Sequence, residues 1–290
     1  MTQIAILIPD PTDKSYIGRW PEVLERLKTT LEGAGAVVTA TPWTTHVLDA
    51  SALLAFDLVL PVIAWGYHRD HAQWLAACAT WTAAGVKIAN PASVLGWNSD
   101  KTYLGRLAQK GVPIPPTIWT QAATQADVDA AFATTGAPVL IVKPTVSAGA
   151  FRTLRLSPGE AMTEAPDGPA MIQPYLKSIE TEGETSLLFF GGRFSHAVNK
   201  RPVNGDFRIQ MQFGGLYTTV TPDAGATALA EQVLAAIDEP LLYARIDLAR
   251  DDAGAWVLME AELIEPDFYL DHDPANGAGF ARAVRERLAA

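Results

Sequence analysis

The first ninety residues alternate short apolar runs with longer segments whose apolar residues recur at helical spacing. Trp20–Glu32 carries such a stripe and ends at Gly33, and Asp70–Ala84 ends at Gly85. The predicted strands around these helices are residues 4–8, 36–40, 58–61 and 86–89. Strands and helices in this order predict a parallel sheet with helices on both of its faces.

The pattern is less regular after residue 100. Predicted helices cover residues 101–110, 127–134, 224–237 and 280–288, and predicted extended segments cover 112–120, 138–142 and 171–176. Thr185–Phe190 and Arg193–Lys200 predict a hairpin that turns at Gly191-Gly192, and residues 205–222 are predicted as a loop. We therefore expect an α/β fold, with α+β organisation in the C-terminal half.

Ionisable residues interrupt two apolar strands between residues 243 and 264. Alternate residues of a strand share a face, so Arg245 and Asp247 point one way together, and so do Glu260 and Glu262. Carboxylates this close are unfavourable without a cation between them, and Mg²⁺ prefers such hard oxygen ligands. The pattern therefore predicts a metal site. The alternative is a solvated polar face, which would more often mix Lys, Thr and Ser with its acids.

Composition narrows the class of protein. The 290 residues include 22 basic and 32 acidic side chains, and the net charge of -10 disfavours nucleic acid as the main partner. A single cysteine, Cys78, excludes an internal disulfide and any cysteine-based zinc cluster. No uninterrupted apolar run reaches the roughly 18 residues of a membrane span. The chain also opens directly with a predicted strand. We therefore expect a cytoplasmic protein of two or three sub-domains, with no membrane partner.

The loops after the first and third predicted strands are candidates for a substrate pocket. No G-x-G-x-x-G sequence follows the first strand, so a Rossmann dinucleotide site is not predicted. Ligands of open α/β sheets bind at the carboxyl ends of the strands, where both loops begin. The side chains that would line the pocket are Lys14, Tyr16, Arg19, Trp65, Tyr67, His68 and Arg69. Ordinary surface loops are the alternative.

A lysine stands at the end of the apolar strand at 138–142, before a loop of small residues. Lys143 would place a positive charge beside the backbone N–H groups of the loop TVSAGAFRT, residues 145–153. This combination is typical of a phosphate site. A surface lysine is the weaker alternative, because four apolar residues precede Lys143 and a proline follows it.

Seven short motifs occur in an order that is specific, although each motif alone is weak. They are N-P-x-S-x-x-x-x-x-S-D-K at 90–101, V-K-P at 142–144, Q-P-Y-L at 173–176, G-E-x-S at 183–186, K-R-P at 200–202, R-x-D at 245–247 and E-x-E at 260–262. In this order the chain resembles, over nearly its full length, the ATP-grasp superfamily of ATP-dependent carboxylate–amine ligases. The phrases SHAVNKRP, GDFRIQ and MEAELIEPDFYL are most similar to the O-ureidoserine cyclo-ligases of the cycloserine pathway and their relatives.

The resemblance implies which residues bind ATP. Lys101 and Lys143 would contact the nucleotide phosphates, beneath the mobile loop 147–153 that contains Ser147 and Gly149. The remaining nucleotide-binding residues would be Gln173, Tyr175 and Leu176 at the adenine and Glu184 at the ribose.

The resemblance also implies metal ligands and charge-stabilising residues. The ligands of Mg²⁺, or of Mn²⁺ as an alternative ion, would be Asp247, Glu260 and Glu262. Many relatives have Asn where this chain has Glu262, and the additional carboxylate should tighten metal binding. Arg245 would stabilise the acyl-phosphate and the tetrahedral intermediate. Lys200 and Arg208 would hold phosphates or a substrate carboxylate.

The same resemblance implies a domain organisation and an activity. A pre-ATP-grasp domain would cover residues 1–97, a central lid subdomain 98–172, and a C-terminal subdomain with the metal site 173–290. ATP would activate a small substrate carboxylate as an acyl-phosphate for coupling to an amine or other nitrogen nucleophile, in another molecule or in the same one. A phosphotransferase on this scaffold and a non-catalytic ATP-binding regulator are the alternatives. The expected partner is a small amino-acid-like molecule, and homo-oligomerisation stays open.

Overall fold

The architecture comes from a computed structural model that describes residues 1–13, 15, 19–203 and 208–290. Lys14 and Tyr16 of the predicted pocket lie outside the described residues, as does the segment 205–207 of the predicted loop.

Short strands and helices alternate along the described chain. The strands are β1 Thr2–Ile8, β2 Ala36–Pro42, β3 Leu58–Leu60, β4 Ile118–Thr120, β5 Leu140–Pro144, β6 Leu154–Leu156, β7 Ala170–Pro174, β8 Glu184–Phe190, β9 Arg193–Arg201, β10 Leu216–Val220, β11 Tyr243–Arg250 and β12 Trp256–Glu262. The α-helices are α1 Trp20–Glu32, α2 His71–Ala84, α3 Ala92–Asn98, α4 Tyr103–Gln109, α5 Gln125–Thr135, α6 Ser178–Thr181, α7 Ala224–Ile237 and α8 Ala278–Ala289.

The N-terminal sheet has the strand order β2-β1-β3, and both pairings are parallel. Helix α1 packs Leu27 and Leu31 against one face, and α2 packs Trp74 and Trp81 into the core on the other. This confirms the predicted parallel sheet with helices on both faces. The fourth predicted strand, 86–89, is wrong as a strand, because only Ile88 makes a parallel bridge to Val59.

The central sheet has the order β4-β7-β5-β6, and its pairings are antiparallel. Helix α5 covers it and begins at a capping box in which Thr124 and Asp127 each accept a backbone N–H of the other. Strand β4 lies in the segment predicted as an extended connector, and β6 was not predicted. Both have three residues, so partner strands define them more than local sequence does.

The C-terminal sheet has the order β10-β9-β8-β11-β12 and contains the predicted hairpin as β8 and β9. One face packs on α7 and α4. The other face packs on α8 and the N-terminal sheet near Tyr243, and farther along this face are the charged residues of β11. Strand β10 replaces part of the predicted 205–222 loop, because Leu216–Val220 pairs with β9.

Two buried asparagines fix the position of β11 and β12. Asn90 accepts from the Leu242 N–H at 2.7 Å and donates to the carbonyls of Tyr243 and Leu263, both at 2.9 Å. Asn98 donates to the Ala261 carbonyl at 2.8 Å. The segment between them contains the unpredicted α3, and the helix predicted at 101–110 begins only at residue 103.

The proposed domain boundaries remain predictions. The second boundary, between residues 172 and 173, falls inside β7 of the central sheet. None of the helices in the described ranges is long and apolar enough to cross a membrane.

Candidate active site

Strands β11 and β12 bring their charged residues onto one face. The antiparallel register sets Arg245 opposite Glu262 and Asp247 opposite Glu260. All of these side chains therefore project from the same side of the ribbon, as the period-two alternation predicted. Every residue from Tyr243 to Ala249 is buried, so the charges on this face need partners other than water.

Asp247 is held by donors from its own strand β11 and from β8 and β9 of the same sheet. Its Oδ1 accepts from the Ser186 hydroxyl at 2.6 Å and from Arg245 Nε at 3.1 Å. Its Oδ2 accepts from Lys200 Nζ and from Arg245 Nη2, both at 3.1 Å. Although burial alone would raise the pKa of Asp247, the two cations outweigh it and hold that pKa well below its usual range. Asp247 is therefore ionised and its acceptor positions are filled by the protein.

Glu260 is paired with a different cation. Lys101 Nζ lies 3.1 Å from Glu260 Oε1 and also donates to the Ser147 carbonyl at 2.7 Å. Burial would raise the pKa of Glu260, but the ammonium groups of Lys101 and Lys143 outweigh it and lower that pKa. This contact joins the ribbon to the 147–153 loop.

Glu262 shares its cationic partner, Arg245, with Asp247. It forms an ion pair with Arg245, whose guanidinium also serves Asp247. Burial raises the pKa of Glu262 to about 8, and the carboxylates of Glu260 and Asp247 act in the same direction against Arg245. Glu262 is thus the ribbon carboxylate for which an added cation would be most favourable.

A second ion pair lies across β8 and β9. Glu184 stands opposite Lys200 in the register, and Lys200 Nζ lies 2.7 Å from Glu184 Oε1. Both side chains are buried, and the carboxylates of Asp247 and Glu184 raise the pKa of Lys200 despite the opposing effect of burial. Gly183 permits this close approach, since a Cβ there would lie 2.7 Å from the Lys200 carbonyl oxygen.

Lys143 lies on β5 with its side chain toward the same region. The strand alternates buried and half-buried residues, so Ile141 and Lys143 share the less buried face. Burial lowers the pKa of Lys143, and Glu260 is the charge that most strongly opposes this effect. An ammonium in this position is favoured by an additional anion such as a phosphate.

The three residues predicted at the adenine follow one another along and after β7. Gln173 is buried and donates from Nε2 to the Thr117 hydroxyl at 2.9 Å. The Arg155 guanidinium lies over the Tyr175 ring at 4.6 Å, and Leu176 is buried. Gln173, Tyr175 and Leu176 thus contribute an amide, an aromatic ring and an apolar side chain to the same region.

All of these residues open onto one cavity of about 1130 Å³. The predicted site residues that line it are Lys101, Lys143, Ser147, Gly149, Gln173, Tyr175, Leu176, Glu184, Lys200, Arg208, Arg245, Asp247, Glu260 and Glu262. The structure therefore brings together all of the predicted nucleotide, metal and charge-stabilising residues, whereas Lys14 and Tyr16 of the predicted substrate pocket lie outside the described residues. Their individual roles remain predictions.

The N-terminal domain closes the other side of the cavity with Arg19, Trp65, Tyr67, His68 and Arg69. The Arg19 guanidinium lies 5.5 Å from the Trp65 ring centroid, and Arg69 pairs with Asp13 at 2.6 Å. Tyr67 differs from the expectation of an open pocket wall, because it is buried and its ring packs 5.0 Å from that of Trp74.

The carboxylate oxygens of the site are ligands of the kind that Mg²⁺ prefers, but cationic side chains of the protein lie close to the same oxygens. Glu260 and Glu262 present carboxylate oxygens to the cavity, as Mg²⁺ requires. Within residues 1–13, 15, 19–203 and 208–290, no three His, Cys, Asp or Glu side chains come close enough together to hold a metal ion. The reason is that Arg245, Lys200 and Lys101 each draw a carboxylate toward themselves.

Sequence reasoning missed two residues at the centre of the site. Ser186 lies two residues after Glu184 on β8, so strand alternation could have placed it on the same face as Glu184. Tyr269 packs its ring 5.2 Å from the Arg245 guanidinium and 6.0 Å from Lys200 Nζ. No local pattern marks Tyr269, because it reaches the site from a loop after β12.

Comparison with known proteins agrees with this arrangement. The family described as the N-terminal domain of D-cycloserine synthetase DcsG matches residues 8–90. Cycloserine biosynthesis protein DcsG of Streptomyces lavendulae is 30% identical over an alignment of 305 positions, which covers 98% of this chain and 99% of that protein.

Solved structures share the architecture. The crystal structure of D-cycloserine synthetase DcsG matches with a TM-score of 0.82 and 25% identity over 99% of both chains. D-alanine–D-alanine ligase from Bacillus anthracis, solved with ATP, matches with a TM-score of 0.72 over 100% of this chain and 98% of that one. Its identity of 14% shows the fold alone.

The fold and the cavity of paired cations and carboxylates define an ATP-grasp ligase. Within that class, the chain belongs to the family of D-cycloserine synthetase DcsG. It is an ATP-dependent, ADP-forming carboxylate–amine ligase, which confirms the predicted fold, family and class of activity. The phosphotransferase and the non-catalytic regulator are not favoured.

Proposed function

We propose that this ligase activates the carboxylate of a small amino-acid-like substrate and couples it to a nitrogen nucleophile of the same molecule. The observation that supports the proposal is the convergence of lysines, arginines and carboxylates on one cavity, from the central and C-terminal sheets and from segments outside the strands. The related enzyme DcsG is a D-cycloserine synthetase, which supports coupling within one molecule.

In the first step a substrate carboxylate oxygen attacks the γ-phosphorus of ATP. The new O–P bond forms as the bond to the β,γ-bridging oxygen breaks, and ADP leaves. Lys101 and Lys143 would face the phosphates, and their ammonium groups would offset the charge that develops on the transferred group. Release of Lys101 from Glu260 would free both partners for this purpose.

In the second step the nitrogen lone pair attacks the carbonyl carbon of the acyl-phosphate. The C–O bond to phosphate breaks, inorganic phosphate leaves, and the proton lost by nitrogen departs with it. Arg245 would hold the tetrahedral oxyanion, because its guanidinium is fixed by Asp247 and by the Tyr269 ring. Lys200 and Arg208 would position the phosphates or the substrate carboxylate.

Mg²⁺ would be held by Glu260 and Glu262, and by Asp247 once Lys200 releases its Oδ2, and would neutralise phosphate charge when bound. Gln173, Tyr175 and Leu176 would surround the adenine, and Glu184 would accept from the ribose hydroxyls once Lys200 turns toward the phosphates. The substrate would lie against the N-terminal domain. A cytoplasmic location and homo-oligomerisation are further predictions.

The test is an ADP-release screen with ATP, Mg²⁺ and a panel of D- and L-amino acids and their O-ureido derivatives, each supplied alone. A substrate labelled with ¹⁸O in its carboxylate should transfer one labelled oxygen to inorganic phosphate, which is the signature of an acyl-phosphate. ADP release without free phosphate would indicate phosphotransfer and contradict the proposal. A strict requirement for a second amine would contradict coupling within one molecule.

A further inference from the structure

One carboxylate of the cavity differs from its neighbours on the ribbon. Asp247, Glu260 and Glu262 each pair with a cation of the protein. Glu265 follows them by a few residues and lines the same cavity, yet it forms neither a hydrogen bond nor an ion pair with any residue that the structure describes.

The environment of Glu265 makes this lack of a partner unfavourable. Its side chain is only partly accessible to solvent. Burial raises the pKa of Glu265 well above its usual range, and the carboxylates of Glu262 and Glu260 raise it further. When a carboxyl group is buried beside like charges, a bound cation stabilises its ionised form.

Glu265 faces the N-terminal side of the cavity. After burial, its charge is the largest influence that raises the pKa of Tyr67, which stands in the loop after β3. The next residue, His68, also lines the cavity and has a buried Nδ1 with no hydrogen-bond partner among the described residues. Two polar groups of this region therefore lack a partner within the part of the chain that the structure describes.

Other acids near the N-terminal side are already engaged or exposed. Asp13 pairs with Arg69 at 2.6 Å. Asp267 is exposed, and its Oδ1 accepts from the Tyr269 N–H at 2.9 Å. Glu265 is thus the acid that combines partial burial, a place on the cavity wall and no partner in the described chain.

We propose that Glu265 binds an ammonium group of the organic substrate. The proposal deepens the proposed function and rests on it, because it specifies an amino acid derivative and excludes a plain carboxylic acid. The ammonium would donate to the Glu265 carboxylate and supply the positive partner that this carboxylate lacks among the residues in the described ranges. The substrate carboxylate would then extend toward Arg245 on the ribbon.

The test compares two rings that differ only by an amino group. D-cycloserine and isoxazolidin-3-one are titrated by calorimetry into the protein with Mg²⁺ and ADP present. The wild type should bind D-cycloserine about tenfold to a hundredfold more tightly than isoxazolidin-3-one, since a charge-assisted hydrogen bond raises affinity by about this factor. Glu265→Gln should lose this preference and bind the two rings within about threefold of each other.

Two variants serve as controls. Glu265→Asp keeps the charge and should retain a preference for the amine, whereas loss of preference through misfolding would affect both substitutions. Asp267→Asn removes a nearby exposed charge and should leave the preference unchanged. A wild type that binds the rings equally or binds neither, or a Glu265→Gln variant that keeps the preference, would overturn the proposal.

A metal-side role for Glu265 has a different signature. If Glu265→Gln weakened binding of Mn²⁺ with AMP-PNP while keeping the preference for the amine, the carboxylate would serve the metal and the proposal would fail. The ADP-release screen on the wild type judges the proposed function separately, because it requires no change at Glu265.

Discussion

The C-terminal ribbon and the N-terminal loops face the same cavity, but they hold their polar side chains differently. On the ribbon, Asp247 receives hydrogen bonds from Ser186, Arg245 and Lys200, and every distance lies between 2.6 and 3.1 Å. On the N-terminal side, Arg19 stacks over Trp65 at 5.5 Å, and His68 Nδ1 has no partner among the described residues.

Under the proposed function, this difference would separate two tasks of the enzyme. Phosphate and metal chemistry requires charges that are already oriented, and the ribbon orients them through mutual ion pairs. A substrate pocket needs groups that a ligand can satisfy, and such groups remain on the N-terminal side. Substitutions on the ribbon should therefore affect turnover and stability, and substitutions on the N-terminal side should affect mainly substrate affinity.

The largest effect is expected for Glu260→Gln, which removes a proposed metal ligand and the partner of Lys101. Turnover should fall by about 10²- to 10³-fold or more, the range found when a charge-stabilising group is removed. ADP release under saturating ATP measures this. Glu231→Gln, an exposed glutamate on α7, is the matched control and should retain wild-type activity. Unchanged ADP release in Glu260→Gln would contradict the role of the ribbon.

The second effect concerns the stability of the ribbon itself. Lys200→Met removes the cation shared by Glu184 and Asp247, so a buried carboxylate is left without compensation. The free energy of unfolding should fall by about 3 kcal/mol, because breaking a buried ion pair from one side is strongly unfavourable. Denaturant titration measures this loss. Lys177→Met, at an exposed lysine, should change stability by less than about 0.5 kcal/mol.

The third effect concerns the nucleotide. Lys143→Ala should weaken ATP binding by about tenfold or more, the worth of one charge-assisted contact, because its ammonium lies in the cavity beside Glu260. Lys177→Ala is the control, since Lys177 is exposed outside the cavity. Calorimetry with AMP-PNP compares the two, and equal effects would show that Lys143 does not face the phosphates.

The ribbon could be predicted from sequence because strand alternation is local. Residues two apart share a face whatever the tertiary structure, so Arg245 with Asp247 and Glu260 with Glu262 were assigned correctly to one face. Arg245 lies opposite Glu262 and Asp247 opposite Glu260 because the two strands pair in antiparallel register. Local periodicity also identified the N-terminal parallel sheet, whose helix α1 carries a clear apolar stripe.

Other features depend on contacts that local sequence does not contain. Strand β6 is defined by its pairing with β5, because three residues are too few to predict a strand alone. Strand β10 was assigned to a loop although Leu216–Val220 is rich in residues that favour strands, and its pairing with β9 identifies it. Tyr67 lines the cavity as predicted, but its burial against Trp74 depends on a helix that local sequence does not bring to it. Whether an acid such as Glu265 has a partner is decided by side chains from distant segments, and only the assembled fold settles it.

A smaller effect is expected on the N-terminal side. Arg19→Gln should raise KM for the organic substrate by about three- to tenfold, because an exposed charge contact contributes only a small binding free energy. The affinity for ATP should stay unchanged. Arg19 is exposed and stacks on Trp65, so its removal leaves no buried charge behind. Steady-state kinetics with the substrate found in the screen measures both constants. A rise in the KM for ATP alone would place the substrate elsewhere, most plausibly near Arg208.

The smallest effect concerns His68 and the pH dependence of stability. Burial lowers the pKa of His68, Arg69 and Lys101 act in the same direction and Asp13 opposes them, and together they bring that pKa to about 4. In the unfolded chain the histidine titrates near its ordinary value of about 6.5. Between these values, as the pH falls, the unfolded state takes up a proton that the folded state refuses, so stability is lost in that window.

His68→Gln removes this proton uptake, so the variant should lose less stability than the wild type between pH 6.5 and 4. The difference should be on the order of 1 kcal/mol, measured by denaturant titration at several pH values. At pH 8 neither state of His68 binds a proton, so a difference there reports lost packing alone. The other histidines are the same in the wild type and in His68→Gln, so they contribute equally to both curves of stability against pH. If the two curves were parallel, His68 would take up its proton in the folded state as readily as in the unfolded chain, which would contradict its described burial.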